Sequence, residues 1–179
     1  MDENVEKAMA RWPDVPAAFG WLRLDRRGRW YLVDRNAPEF DEARDGKGSL
    51  ITSDPIVEFI SRNYACDEQG RWYWQNGPQK AYADLDVAPL IMRVLTGSKG
   101  QALVTHTGYP VNQVHAAFLT TNDELMVQSD LGPGAIHDLD LSALELTESS
   151  VVIAGESFEL NRLTEDAASA LGFVLQPRN

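Results

Sequence analysis

Long apolar runs and cysteine pairs are both missing from this sequence of 179 residues. The longest uncharged apolar stretches, such as residues 87–92, are far shorter than the roughly 20 residues that a membrane-spanning helix needs. The only cysteine, Cys66, cannot form an internal disulfide. The first six residues carry acids where a secretory signal would carry positive charge. These absences predict a cytoplasmic protein with no membrane partner.

Positive charge is scarce, and it is unevenly placed. The net charge is −11, and residues 101–179 contain only Arg162 and Arg178 as basic residues against 11 acids. We therefore expect no nucleic-acid partner for this chain, because phosphate binding depends on a patch of Lys and Arg and the second half has only these two. The change in charge balance also predicts two subdomains, a helix-plus-hairpin subdomain over residues 1–97 and an acidic, β-rich subdomain over residues 98–179.

Catalytic and metal-binding motifs are absent as well. The sequence has no His-Glu-x-x-His, no cysteine pair and no Gly-x-Ser-x-Gly, and residues 46–49 lack the residue order of a phosphate-binding loop. We therefore expect neither a metal nor a cofactor. The three histidines lie in the acidic half, where His106 and His137 with the neighbouring Asp138 are the alternative candidates for an acid/base site.

The most informative feature that is present is a repeated stretch. Asp25-Arg-Arg-Gly-Arg-Trp-Tyr31 recurs 42 residues later as Asp67-Glu-Gln-Gly-Arg-Trp-Tyr73. We interpret this as an internal duplication. In each copy the aspartate favours the start of a turn, and the glycine three residues later favours a positive φ, so each copy predicts a β-hairpin.

Alternation along the strands divides the side chains of each hairpin between two faces. Trp30 and Leu32 share one face in the first copy, and Trp72 and Trp74 share one face in the second. We expect the tryptophan face to be the core. The opposite face carries our candidate binding residues, because Arg and Tyr are enriched at interfaces; these are Arg29, Tyr31, Arg71 and Tyr73.

The remaining pattern predicts the other elements. Apolar spacing indicates a helix over residues 4–12, and Asp54-Pro55 favours a second helix start. The stretch from residue 34 to 49 has no period and is expected to be an exposed loop. Strands follow from residue 80 to 160, with a turn at residues 96–100, and a late helix lies between Thr164 and Gly172. The expected fold is α+β: two duplicated β-hairpins with short helices, followed by a mostly antiparallel, β-rich second half.

The order of these pieces resembles a proteobacterial family of domains of unknown function, the twelve-eighty-five series. The resemblance rests on Gly-x-Trp-Tyr at residues 28–31, the Pro-Ile helix at 55–60, the second hairpin at 67–74, and Asp-Val-Ala-Pro at 86–89. Weaker similarity continues through residues 100–103 and 107–108. The resemblance implies an α+β fold in two parts, and it implies no activity.

Two hypotheses about function follow. The first is a non-enzymatic binding or regulatory module with an unknown protein or small-molecule partner, because aromatic hairpins are present and a catalytic motif is not. The alternative is a small-molecule enzyme whose acid and base, from His106, His137 and Asp138, meet only in the fold. A pocket with converging polar groups of shifted pKa would favour the enzyme, whereas a shallow apolar or Arg/Tyr surface would favour the binding module.

Overall fold

The computed structural model describes residues 1–98 and 100–178 and divides the chain into two compact units. Unit 1 contains residues 1–87 and 174–179, and unit 2 contains residues 88–173. The expected boundary after residue 97 differs from this division, because the strand that ends there pairs with strands of unit 2. Lys99, inside the turn predicted at residues 96–100, and Asn179 lie outside the described residues.

Unit 1 combines short helices with a six-stranded sheet. Its elements in chain order are α1 (Glu3–Arg11), β1 (Ala18–Leu24), β2 (Trp30–Leu32), α2 (Glu42–Asp45), β3 (Ser49–Leu50), α3 (Asp54–Arg62), β4 (Tyr64–Cys66), β5 (Trp72–Asn76) and β6 (Gln79–Leu85). The strand order is β3-β2-β1-β6-β5-β4. All neighbouring pairs are antiparallel except β1 and β6, which are parallel.

The two predicted hairpins are both present, β1 with β2 and β4 with β5. Each hairpin also has an equivalent backbone hydrogen bond outside its turn. The Val33 N–H donates to the Trp21 carbonyl, and the Gln75 N–H donates to the Asn63 carbonyl, at the same 42-residue offset. The hairpins are therefore alike in geometry, while their origin by duplication stays a prediction.

The core of unit 1 lies on the sheet face that carries the hairpin tryptophans. Trp30 is 1% exposed, and its ring meets Tyr64 edge-on with centroids 5.0 Å apart. Phe59 of α3 meets Trp74 edge-on at 5.8 Å. Leu32 was expected on the same buried face, and it does lie on that side by register, but it is 50% exposed. Burial therefore decreases along β2 from Trp30 to Leu32.

The stretch from residue 34 to 49 is not only a loop. It contains α2, whose first turn is capped by the Asp41 side chain, and it ends in β3, which pairs with β2. The predicted loop therefore contains a helical turn and ends in a paired strand. The sequence signal missed β3 because a strand of two residues has no period to detect.

Unit 2 is built around a nine-stranded mixed sheet. Its elements are β7 (Leu90–Gly97), β8 (Gly100–Thr105), β9 (Pro110–Val111), β10 (Val114–Leu119), β11 (Leu125–Ser129), β12 (Gly132–Ile136), a 3-10 helix (Asp138–Ala143), β13 (Glu145–Leu146), β14 (Ser150–Ile153), β15 (Glu156–Arg162) and α4 (Ala167–Leu171). The strand order is β13-β14-β15-β10-β11-β12-β7-β8-β9. Two of the pairs, β10 with β15 and β12 with β7, are parallel.

The core of unit 2 is formed by strand residues that are almost fully buried, among them Ile91, Met92, Met126 and Val151. The late helix begins at the cap Asp166 rather than at Thr164, and it ends at Gly172 as expected. Residues 173–175 form no regular strand. Within the described residues, no helix is long and apolar enough to cross a bilayer.

Candidate functional site

The two hairpin turns are each organised by one aspartate. The Asp25 carboxylate accepts from the Arg27 and Arg29 N–H groups, both at 2.9 Å, and from the Arg29 Nε at 2.7 Å. Asp67 makes the matching bonds with Gln69 and Arg71, at 3.0, 3.0 and 2.9 Å. The sequence predicts this arrangement, because Asp-x-x-Gly places a carboxylate beside the free N–H groups of the turn.

A tyrosine hydroxyl completes each carboxylate's partners. Tyr31 donates to Asp25 at 3.3 Å, whereas Asp67 receives its bond at 2.9 Å from Tyr82 on β6. Burial raises the pKa of Asp67, but the hydrogen bonds from Arg71 and Tyr82 outweigh this and bring it to about 2. The pKa of Asp25 is also lowered, because bonds from Arg29 and Arg27 outweigh its burial. Both carboxylates are therefore ionised structural anchors.

The candidate binding residues Arg29, Tyr31, Arg71 and Tyr73 do not form one cluster. Tyr31 on β2 and Tyr73 on β5 are separated by β1 and β6, which is about 14 Å at three strand spacings. Arg29 and Arg71 are both ion-paired to their turn aspartates. Tyr73 is buried rather than exposed, because its ring packs edge-on against Tyr82. The arginines of this face therefore stabilise the turns, and their charges are already paired.

The histidine candidates flank β7 in unit 2. The His106 N–H donates to the Ile91 carbonyl, and the His137 N–H donates to the Met92 carbonyl. The two histidines are thus on opposite sides of one strand, about 10 Å apart at two strand spacings. The His137 ring is buried, accepts from the Leu139 N–H at 3.2 Å and lies 3.0 Å from the Asp138 carboxylate. His137 acts here as the cap of the 3-10 helix.

Potential ligands for a metal are not grouped in the described part of the chain. Across residues 1–98 and 100–178, no three His, Cys, Asp or Glu side chains are close enough to share an ion. Cys66 lies at the end of β4, where partial desolvation of its sulfur and the negative charge of Asp67 raise the pKa of its thiol. A raised pKa keeps the thiol protonated and poorly nucleophilic at neutral pH.

The groove of unit 1, which sequence reasoning missed, is the more informative feature. It has a volume of about 580 Å³ and lies where β1, the first strand of one hairpin, meets β6, which in turn pairs with β5 of the other hairpin. We call this feature the β1 groove. It is lined by Ala17, Ala18, Phe19, Trp21, Leu22, Leu32, Ile51, Trp74, Asn76, Gln79 and Ala81.

The lining of the β1 groove is apolar and uncharged. Two indoles, Trp21 and Trp74, stand beside the small side chains of Ala18 and Ala81, which are partners across the parallel strands. Asn76 and Gln79 supply amide groups, and the Gln79 Nε2 is already bonded to the Pro16 carbonyl. None of the residues that line this groove is an acid, a base or a histidine. The groove can hold an apolar molecule but has no group for acid/base chemistry.

A bulge in β1 opens this part of the sheet. Ala18 pairs with Ala81 and Leu22 with Ala83, so four steps along β1 match two steps along β6. Gly20, at the centre of the bulge, has φ +73°. A lone glycine between Phe19 and Trp21 is a signal for a bulge, and it could have located this site in the sequence.

Two smaller cavities also lie within the described residues. One of about 320 Å³ lies under the stretch 34–49 and shares Leu32 with the β1 groove. The other, of about 130 Å³, lies in unit 2 between β8–β9 and β14–β15, and none of the histidines lines it.

Comparison with known proteins gives the chain a family. A crystal structure of a DUF1285 family protein from Silicibacter pomeroyi DSS-3 is similar with a TM-score of 0.53 at 17% identity, covering 86% of each chain. One from Shewanella baltica OS155 has a TM-score of 0.47 at 12% identity, covering 69% of this chain and 88% of that chain. No curated protein matches.

The similarity to the first of these two structures is one of fold alone, and it confirms the family resemblance predicted from the sequence. A family model named DUF2944 matches residues 1–178. Because this match spans nearly the whole sequence, the chain belongs to the DUF2944 family, which is described as "Protein of unknown function (DUF2946)".

Proposed function

We propose that this protein is a non-enzymatic binding or regulatory module that takes a small, uncharged and largely apolar organic molecule in the β1 groove. The observation that carries the proposal is the lining: a groove of about 580 Å³ whose walls contain Phe19, Trp21 and Trp74 and no charged side chain. Volumes of about 300–1,000 Å³ with apolar walls and a few polar groups are typical of small-molecule sites.

The absence of charge from the lining selects against charged ligands. A carboxylate or ammonium group moved from water into this groove would lose hydration without gaining a partner among the lining residues. An uncharged molecule pays no such penalty and gains about 25 cal/mol for each Å² of apolar surface that it removes from water. The amides of Asn76 and Gln79 can orient one polar group of the ligand.

The groove also weighs against the enzyme alternative. An acid/base enzyme needs titratable groups beside its substrate, and the lining has none. His106, His137 and Asp138 belong to the other unit, where His137 and Asp138 both face the Leu139 N–H. The binding module is the hypothesis that this geometry supports.

A dye titration tests the proposal directly. Nile red is uncharged and planar, and its fluorescence rises and shifts to the blue in apolar surroundings. We expect it to bind the protein with one saturable site, and we expect Leu32→Asp to weaken that binding at least about tenfold, since a charge would replace an apolar wall.

Leu50→Asp is the matched control. Leu50 is an exposed leucine on the neighbouring strand β3, but it pairs with Tyr31 and therefore lies on the opposite face of the sheet. It does not line the groove. Equal binding by the Leu32→Asp variant and the parent would refute the proposal, as would a failure of Nile red and of every uncharged compound in a thermal-shift screen to bind the parent protein.

A further inference from the structure

The shape of the β1 groove depends on the bulge in β1. Phe19 and Trp21, which line the groove, stand on either side of Gly20. Gly20 has a positive φ, and the backbone around it leaves the regular ladder with β6 between Ala18 and Leu22. The bulge therefore needs a partner for the carbonyl group that it turns away from the sheet.

Arg35 provides that partner. Its Nε donates to the Gly20 carbonyl at 2.7 Å. Its side chain lies so close to the bulge that a Cβ atom added at Gly20 would come within 2.8 Å of Nε. Arg35 does not itself line the groove, so any effect that it has on a ligand passes through the backbone of Gly20.

Three other groups hold the Arg35 guanidinium in place. It forms an ion pair with Glu42 of α2, and its Nη2 lies 3.7 Å from the buried carboxylate of Asp84 on β6. Its guanidinium carbon lies 5.5 Å from the centre of the Phe40 ring, a distance suited to a cation–π contact. Only 28% of the side chain is exposed, so these contacts are partly shielded from water.

From these contacts we propose that Arg35 is a positioning residue: it holds the β1 bulge in the form that places Phe19 and Trp21 in the groove walls, and it thereby sets the affinity for the uncharged ligand. This inference rests on the proposed function. A hydrogen bond from a charged donor to a backbone carbonyl is about twice as strong as one between neutral groups, which suits it to fixing a bulge. Glu42 and Phe40 extend this control to the stretch 34–49.

Two variants of Arg35 and one control test this role. We expect Arg35→Ala to weaken Nile red binding at least about tenfold and to speed amide hydrogen exchange across residues 18–22. Arg35→Lys should restore part of the affinity, because it keeps the charge but lacks the planar fork that serves a carbonyl and two acids together. Arg44→Ala is the control, since Arg44 lies in the same stretch but contacts Asp45 and the Glu39 carbonyl.

The two readouts separate the possible outcomes. A residue that acted only on overall stability would lower the melting temperature without changing the dye affinity of the folded protein. Parent-like affinity and exchange in Arg35→Ala would overturn the proposal and leave the groove's function intact. If the parent binds neither Nile red nor any uncharged compound, the role in affinity falls with the proposed function, while exchange across residues 18–22 still decides whether Arg35 fixes the bulge.

A folding defect would not end the test. Should Arg35→Ala fail to fold, Glu42→Gln removes only the ion pair that orients the guanidinium. We expect it to change dye affinity and exchange in the same direction by a smaller factor. No change in either quantity for Glu42→Gln, together with parent-like binding by Arg35→Lys, would count against the proposal.

Discussion

Gly28 and Gly70 occupy the same position in the two hairpin turns and have φ values of +74° and +73°. A β-branched residue resists this region, because its side chain would crowd the neighbouring backbone. We expect Gly28→Val and Gly70→Val each to destabilise the protein by about 1 kcal/mol or more, and the Asn variants to cost less, since Asn tolerates positive φ. Melting curves that match the parent for both Val variants would contradict this turn geometry.

Asp67 makes the free energy of unfolding of unit 1 depend on pH in the acid range. Its pKa in the folded protein is about 2, below the usual 3.8, because the bonds from Arg71 and Tyr82 outweigh its burial. Above pH 3.8 the carboxylate is ionised in both states, and its full contribution is present. As the pH falls from about 4 to about 2, the unfolded chain takes up a proton before the folded one, and this contribution is lost.

Urea unfolding followed by tryptophan fluorescence measures this effect, because all five tryptophans lie within residues 12–74 and so report on unit 1. We expect Asp67→Asn to be less stable than the parent at neutral pH and to lose less stability between about pH 5 and pH 2, by on the order of 1 kcal/mol. Glu68→Gln is the control beside it. An acid dependence that is the same in Asp67→Asn and the parent would show that this carboxylate does not contribute.

What could be read from single residues was the chemistry of the turns. Asp25 and Asp67 bond to N–H groups two and four positions along the chain, so these backbone partners were visible in the local sequence, whereas the bond from Tyr82 to Asp67 was not. The solvent exposure of a side chain, in contrast, could not be predicted from its sequence neighbours. Tyr73 is buried because Tyr82, on another strand, packs against it, and Leu32 is 50% exposed although it lies on the same face of the sheet as the buried Trp30. Alternation assigns a face, but it does not say whether that face is covered.

At the scale of elements, helices α1 and α3 and both hairpins were predictable, because each has its own period or turn signal. The parallel pairing of β1 with β6 was not predictable. The paired residues are about 60 positions apart, and neither strand has a sequence signal that identifies its partner. The second half is mostly antiparallel, but its two parallel pairs, β10 with β15 and β7 with β12, were not predictable for the same reason. Pairing between distant strands is decided by the assembled sheet.

The β1 groove shows the same limit for a site. Its walls come from β1, β2, β5 and β6, and the apolar side chains that line it look like core residues when each strand is considered alone. The sequence directed attention to the Arg/Tyr face of the hairpins, whose arginines are paired within the turns. The bulge at Gly20 is visible only in the register of β1 against β6, and the groove lies beside this bulge.

At the scale of the whole molecule, the chain returns to its first unit after completing its second. Residues 174–179 belong to unit 1, where the Val174 N–H donates to the Gly70 carbonyl and the Leu85 N–H donates to the Leu175 carbonyl. Arg178 then donates to the Asp84 carboxylate at 2.6 Å. A division of the sequence at one boundary cannot describe this path, because the end of the chain returns to bond with the unit that the first 87 residues form.

Removal of residues 174–179 should therefore destabilise unit 1 while leaving unit 2 folded. We expect a loss of about 2 kcal/mol or more, because two backbone hydrogen bonds disappear and the buried Asp84 keeps only Arg35, at 3.7 Å. The tryptophan-fluorescence transition should move to lower urea, and amide exchange at Leu85 should rise.

Arg178→Ala isolates the ion pair from the backbone bonds and should cause a smaller loss than the deletion. Exchange in β11, which lies at the centre of the unit 2 sheet, is the internal control and should not change. An unshifted fluorescence transition in the deleted protein would mean that these residues rest on unit 1 without stabilising it. Faster exchange in β11 would instead mean that the two units do not unfold independently.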